Sequence, residues 1–274
     1  MTDTLVDFAL DVLNTADAKL KAQKTMVYAA RWRDEEIDLG ITPACPNRPK
    51  RPEKPELLFP RDMPKRKKGN SDKNKINLLH ALSHIELNAI DLAWDIIARF
   101  SPMHTSEDFS LPIDFYNDWL KVADDEAKHF LMLSDRLSDF GAAYGDLPAH
   151  DGLWESAEKT AHDFAARLAV VPMVLEARGL DVTPDMISLM KEQGDQKTAD
   201  MLQIIYDDEI THVRAGTTWF QKWCDYHQKD VETYFQELVR KYFHANLKKP
   251  FNHPGREESG MIRDWYEPLA EASV

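Results

Sequence analysis

Residues 115–133 read FYNDWLKVADDEAKHFLML, and the fold turns on which of these side chains face inward. Phe115, Trp119, Val122, Glu126, His129 and Leu133 recur at three-four spacing, continued further along by Phe140. This is the inward seam of a helix packed in a bundle, so Glu126 and His129 fall between apolar neighbours. The phrase DDEAKH at 124–129 has a near copy, DDEITH at 207–212, and the two hold the chain's only adjacent Asp pairs. Around the copy, Leu202, Ile205, Glu209, His212, Gly216, Trp219 and Trp223 repeat the spacing. Two helices are therefore predicted, each carrying a Glu-x-x-His on its core stripe.

The rest of the chain also favours helix. It has only ten Gly in 274 residues, with long stretches free of turn residues. Residues 4–36 carry Leu5, Phe8, Ala9, Val12 and Leu13 at helical positions, with a break near Asn14-Thr15. Pro43, Pro46, Pro49, Pro52 and Pro55 then recur every third residue, the period of a polyproline II helix, and PKRKKGNSDKNK at 64–75 reads as a charged loop. Long helices are predicted over about 76–101, ended by Ser101-Pro102, and from Pro112 to Phe140, capped by Gly141. A third is expected over 153–178, stopping at Gly179, and a short one over 184–193 with Thr183 as its N-cap. A fourth long helix opens at Asp195 and runs to about Trp223, and a further helix lies near 229–246.

No segment alternates as a strand does. The expectation is an all-α protein, one domain in three parts: N-terminal helices and a Pro-rich strap (1–75), a four-helix bundle (76–225), and a C-terminal helix and tail (226–274). The link 141–152 can cross the bundle length, giving two helical hairpins about a pseudo-twofold axis.

Composition excludes several classes of function. A net charge of −13 argues against a generally basic nucleic-acid binder and against attachment to an anionic membrane. Between Arg48 and Lys75, however, eleven Lys/Arg face four Asp/Glu. That stretch has Phe59 alone for base stacking, so it reads as a strap over an acidic bundle and nucleic acid is not the expected partner. There is no apolar run of about 18 residues, and MTDTLVDFALDV is too acidic for a signal peptide. Cys45 and Cys224 offer neither a disulfide framework nor a Cys-x-x-Cys metal site, which fits a reducing cytoplasm.

An ionised carboxylate in an apolar seam costs several kcal/mol or more unless it is compensated. Glu-x-x-His puts both groups on one helical face, a turn apart, able to grip one cation. Glu86, in LSHIELNAI, and Glu176, in PMVLEARGL, are each the acidic residue nearest the middle of another helix's apolar stripe. Four such carboxylates and two neutral imidazoles balance two divalent cations; a structural salt-bridge cluster is the competing reading. His80 and His84 do not share the face of Glu86 and are expected in surface or second-layer packing, and His162 lies too far along its helix from Glu176. Pro172, one turn before Glu176, either widens a cavity at the metals or is a tolerated bend. Gly216, one turn past His212, either leaves room for oxygen or substrate or allows close helix packing.

This ligand set resembles that of the ferritin-like carboxylate-bridged dimetal proteins. More closely, HALSHIELNAIDLAWD at 80–95, the lead-in PELLFPRDMP and the PFN…WYEP tail are similar to a bacterial ferritin-like family of unassigned function. The resemblance implies metal ligands Glu86, Glu126, His129, Glu176, Glu209 and His212, two iron ions with manganese as the second choice, and an oxygen- or peroxide-dependent oxidoreductase or hydroxylase. Its partners would be a small-molecule substrate, dioxygen or peroxide, and an external electron donor. In related diiron monooxygenases an Asp before the helix Glu holds the metal-bound His of the opposite helix. That places Asp125 on His212 and Asp208 on His129, with Asp124 and Asp207 outside in solvent. A non-catalytic metal-binding module and a tRNA-modifying hydroxylase, after the ferritin-like tRNA hydroxylases, are the alternatives.

Overall fold

Most helices start where the sequence supplies an oxygen to cap them. Thr4 accepts from the Asp7 amide while Asp7 returns to the Thr4 amide, a capping box; Asp17, Ser71, Asp163, Asp195, Asp230 and Asn252 each accept from an amide three residues on. The computed structural model describes residues 3–42, 44–64, 71–243 and 245–270. Pro43 and the Lys65–Lys68 part of the basic stretch lie outside these. The helices are α1 (Leu5–Leu13), α2 (Ala18–Asp34), α3 (Asp72–Arg99), α4 (Ile113–Asp139), α5 (Gly152–Lys159), α6 (Phe164–Val170), α7 (Ala177–Glu192), α8 (Gln196–Tyr226), α9 (Val231–Tyr242), α10 (His253–Glu258) and α11 (Arg263–Tyr266). Among the described residues there is no strand beyond two isolated bridges, and the chain is all-α. No described helix is long and apolar enough to cross a membrane. The chain divides into two compact units, Met1–Glu155 and Ser156–Val274.

In the first unit α3 packs along α4, α2 lies against α4, and α1 against α3. The Pro-rich strap is held on α3 by charge. Lys21 of α2 is buried and pairs with the fully buried Asp91 of α3, and also donates to the Lys50 carbonyl at 2.9 Å. Arg51 of the strap reaches Asp91 and Asp151, each at 3.2 Å, and Arg48 pairs with Asp151. Arg99 holds Asp95 at 2.7 Å and donates to the Pro46 carbonyl at 2.9 Å. Burial pulls the Lys21 ammonium below its ordinary value, and Asp91 opposes that pull.

Two histidines of α3 pin the segment after α4. His80 Nε2 accepts from the amides of Gly145 (2.9 Å) and Leu147 (3.4 Å). Gly145 has φ +104°, a backbone conformation closed to other residues at little cost. His84 Nε2 faces the His150 carbonyl at 3.1 Å, so that nitrogen carries the proton. Its Nδ1 then accepts from the Tyr144 hydroxyl at 2.9 Å. Burial, with Arg51 adding to it, pushes His84 down to about 3. Both histidines are buried second-layer groups, within the packing role expected of them.

The second unit departs from the predicted boundaries. In place of one helix over 153–178, α5 ends at Lys159 and α6 starts afresh after Asp163. The buried Arg167 makes the break tolerable: it donates to the Ala157 carbonyl (2.7 Å) and to Thr160 Oγ1 (3.1 Å) at the end of α5. A π-helical segment, Val171–Glu176, follows α6. Then α7 runs through both Gly179 and Pro184, so the predicted stop and the separate helix capped by Thr183 are not formed. Pro184 has no amide to offer the Leu180 carbonyl one turn back. Asn252 Nδ2, from the C-terminal tail, donates to that carbonyl at 3.0 Å instead. The tail is fastened further by the buried Arg256, which grips Asp181 at 2.7 and 2.8 Å and lies against the rings of both Phe251 and Tyr266.

Removing Asp91 strands a buried ammonium. Asp91→Ala should lower stability by about 3–5 kcal/mol in chemical denaturation. An effect below about 1 kcal/mol would show that the strap does not depend on this network. His84 gives a pH test. The unfolded chain protonates this ring near its ordinary value of 6.5 while the folded chain resists until about 3. Stability is therefore lost as pH falls from 6.5, by about 1.4 kcal/mol per unit for this group. Denaturation of His84→Gln at pH 7 and pH 5 should show a shallower pH dependence than wild type; equal slopes would refute the assignment.

Candidate metal-binding site

Within the first unit, Glu86 sits in the middle of α3, and Glu126 and His129 sit a turn apart on α4. All three are buried, at 2, 0 and 1 % exposure, as the seam spacing requires. His129 Nδ1 lies 3.3 Å from Glu86 Oε2 and 3.5 Å from Glu126 Oε2. The ligand atoms of the three residues all lie within 4.8 Å of one another, the spacing of donors around one cation. Burial first, then the Glu126 carboxylate, push Glu86 up to about 8, and His129 draws it the other way. Two carboxylates so placed resist ionising together, and a divalent cation between them removes that resistance.

Within the second unit, Glu209 and His212 repeat the arrangement on α8, both buried, with His212 Nδ1 3.9 Å from Glu209 Oε2. In both units, then, Nδ1 is the ring nitrogen on the carboxylate side. Glu176 closes the π segment and is half-buried; it joins no group of three ligand atoms within 4.8 Å among the described residues.

The Asp residues of the repeat differ in setting. Asp125 is buried and pairs with Lys121 and, at 3.4 Å, with Lys128. Asp208 is half-buried, and Asp207 is exposed as expected, accepting from Gln203. Asp124 is not in solvent: it is buried, with Arg33 at 3.1 Å and Lys128 at 2.9 Å. The packing of α2 on α4 brings Arg33 over it, a contact no local pattern announces.

Sequence reasoning passed over the buried charges beside this group. Asp91 and Asp95 of α3 are both fully buried, Asp91 against Lys21 and the strap's Arg51, and Asp95 against Arg99 of the same helix. The signal was present: Lys21, Ala22, Thr25 and Ala29 form the buried face of α2, and a lysine there requires a buried acid.

Gly216 and Pro172 explain one another. A Cβ on Gly216 would lie 2.5 Å from Pro172 Cγ and 2.6 Å from Pro172 Cβ. Gly216 is thus the seat of the π segment, and close packing accounts for it without space for oxygen or substrate. Pro172 forms part of a wider π turn, packed on α8, that ends at Glu176. In an unpacked helix Gly→Ala stabilises by about 1 kcal/mol. Here Gly216→Ala should instead destabilise by about 1–3 kcal/mol, since Pro172 must give way. Thermal or urea denaturation reads the sign, and a stabilised variant would refute the contact.

Comparison with known proteins agrees with the whole-chain character of these features. An uncharacterized protein of Haemophilus influenzae is 40 % identical over 212 residues, covering 76 % of this chain and 73 % of its own. No solved structure matches the chain. The family DUF455, described as a protein of unknown function, matches residues 14–267, a span that takes in the strap, both Glu-x-x-His helices and the PFN tail. The chain belongs to that family.

Proposed function

We propose that this protein is a carboxylate-bridged dimetal protein of ferritin-like type, acting as an oxygen- or peroxide-dependent oxidoreductase on a small-molecule substrate. The observation that carries the reading is the buried group Glu86, Glu126 and His129, with ligand atoms within 4.8 Å, matched in kind by Glu209 and His212 on α8. In this reading each half-set would supply ligands to one ion of a pair, and Glu176 would add to the second. The donor set fits: carboxylate oxygens with imidazole nitrogens suit iron first and manganese second. The raised Glu86 supports it, because such a carboxylate gains most from a cation.

When bound, a pair of such ions exchanges electrons with dioxygen or peroxide, and an external donor restores them. The chain's part is to hold and shield. Glu126, Glu209, Glu86 and Glu176 would hold the ions through carboxylate oxygens, and His129 and His212 would each present Nδ1. Asp125 and Asp208 are proposed to hold the outer nitrogen of the opposite histidine, fixing its tautomer. The buried Val122, Phe130, Ile205 and Val213 keep water from the reacting groups.

Metal analysis of the reconstituted full-length protein should give two iron or manganese ions per chain. Glu126→Ala and Glu209→Ala should each bring the count below two with helical content unchanged by circular dichroism. Fewer than two ions in wild type overturns the reading. Ferrous protein should also consume dioxygen or peroxide; a protein holding two ions yet inert to both is a metal-stabilised binding module instead.

A further inference from the structure

Past His212 the seam of α8 becomes aromatic. Trp219 stands two turns beyond His212, and Trp223 one turn further, on the stripe that holds Glu209 and His212. Exposure rises in the same order: His212 and Trp219 are buried at 0 and 1 %, Trp223 is half-buried, and Tyr226 at the helix end is 52 % exposed. We propose that these rings form a one-electron relay, Trp219 to Trp223 to Tyr226, which discharges oxidising equivalents from the metal site to a thiol in solution. The relay rests on the metal reading above and gives that site an outlet.

Three observations carry it. The first is spacing. Trp219 lies about 10 Å along the helix axis from His212, and Trp223 about 6 Å further. Side chains four apart on a helix are neighbours, with about 5–6 Å between their Cβ atoms. Tunnelling falls exponentially with distance, so short steps between rings that can each lose an electron outrun one long step to solvent. The matching seam of α4 past His129 holds Leu133 and Leu137, which cannot serve in this way, so a core seam here does not require oxidisable rings.

The second is contact at the outer end. Trp223 stacks on Tyr234 of α9 at 5.3 Å and 9°, and the His227 ring lies 4.1 Å from it. Tyr226 stands edge-on to His227 at 5.0 Å, so the rings lead without a gap to the exposed phenol. The third is charge. Lys222 Nζ lies 3.9 Å from the centre of the Trp219 ring, where it opposes a positive charge on that ring and drives it outward. The stack feels less of this: Lys229 is 5.6 Å from the Tyr234 ring. Burial first, then the Asp163 carboxylate, push the Tyr234 phenol up to about 12. Tyr234 therefore keeps its proton, and the oxidation comes to rest on the solvated Tyr226 phenol instead.

The electrons balance. Dioxygen or peroxide is the oxidant, as in the proposed reaction. One electron passes from Trp219 to the metal site, from Trp223 to Trp219, and from Tyr226 to Trp223, and the Tyr226 phenolic proton leaves to water. A thiol returns one electron and one proton to Tyr226, and two of the resulting thiyl radicals couple as a disulfide.

The test uses full-length protein loaded with ferrous iron, mixed with hydrogen peroxide without substrate, and frozen for electron spin resonance, with iron counted in every sample. Wild type should show a tyrosyl radical. Tyr226→Phe and Trp219→Phe should each reduce it at least tenfold with the iron count unchanged, and Trp219→Tyr, which keeps an oxidisable ring, should restore it. Mercaptoethanol added before freezing should remove the radical and be recovered as its disulfide; a radical that outlasts it overturns the thiol outlet. A second arm needs no metal. In metal-free protein carrying Trp32→Phe, Trp223 is the one tryptophan that is not buried. Flash oxidation by tris(bipyridine)ruthenium should give a tryptophan radical that converts to a tyrosyl radical at a rate independent of protein concentration, and Tyr226→Phe should slow this at least tenfold. An undiminished radical in Trp219→Phe holding two irons, or a conversion unchanged by Tyr226→Phe, overturns the relay and leaves the metal reading standing. Fewer than two irons in wild type overturns the metal reading and the relay with it, whatever the flash arm shows.

Discussion

Carboxylates buried inside long helices are the constraint on which the rest of the first unit depends. Asp91, Asp95, Glu86 and Glu126 all lie within α3 and α4 at almost no exposure, where an uncompensated charge is untenable. The unit answers in two ways. Asp91 and Asp95 receive cations from the chain itself, from Lys21, Arg51 and Arg99. Glu86 lies against Glu126 and His129 instead, and burial with the neighbouring Glu126 carboxylate drives it towards its neutral form. The contrast separates structural acids from acids suited to a metal, although the four share two helices.

The same division gives the strap its role. A Pro-rich segment has few amides for regular pairing and no core of its own. Its attachment comes from Arg51 laid on Asp91 of α3, from Arg48 and Arg51 on Asp151, from backbone bonds such as Leu58 to Ala149 (2.8 Å), and from His80 and His84 holding the segment opposite. In the second unit the recurring issue is proline without an amide. At Pro172 the helix widens into a π turn seated on Gly216; at Pro184 it stays regular because Asn252 serves the Leu180 carbonyl. The PFN tail therefore completes α7.

Much of this was legible in advance. The helices carrying the repeat, their caps at Asp195 and Gly141, the inward placing of Glu86, Glu126, His129, Glu209 and His212, and the strap's charge were all readable from spacing and residue type. What was misread involved partners far away in sequence. Gly179 and Pro184 look like a stop and a start, and they would be so in an isolated peptide. Asp124 looks like a solvated acid until α2 covers it with Arg33.

By itself the sequence determined which residues sit on which helical face, because side-chain direction follows the local period of about 3.6 residues and needs no partner. It thereby determined the all-α class and the ligand types on each seam. Only the tertiary structure decided how each buried polar group is satisfied: Lys21 for Asp91, Asn252 for the Leu180 carbonyl, Pro172 in the space left by Gly216. Those pairings join residues tens of positions apart, and their energy exists only once packing has removed water from both members.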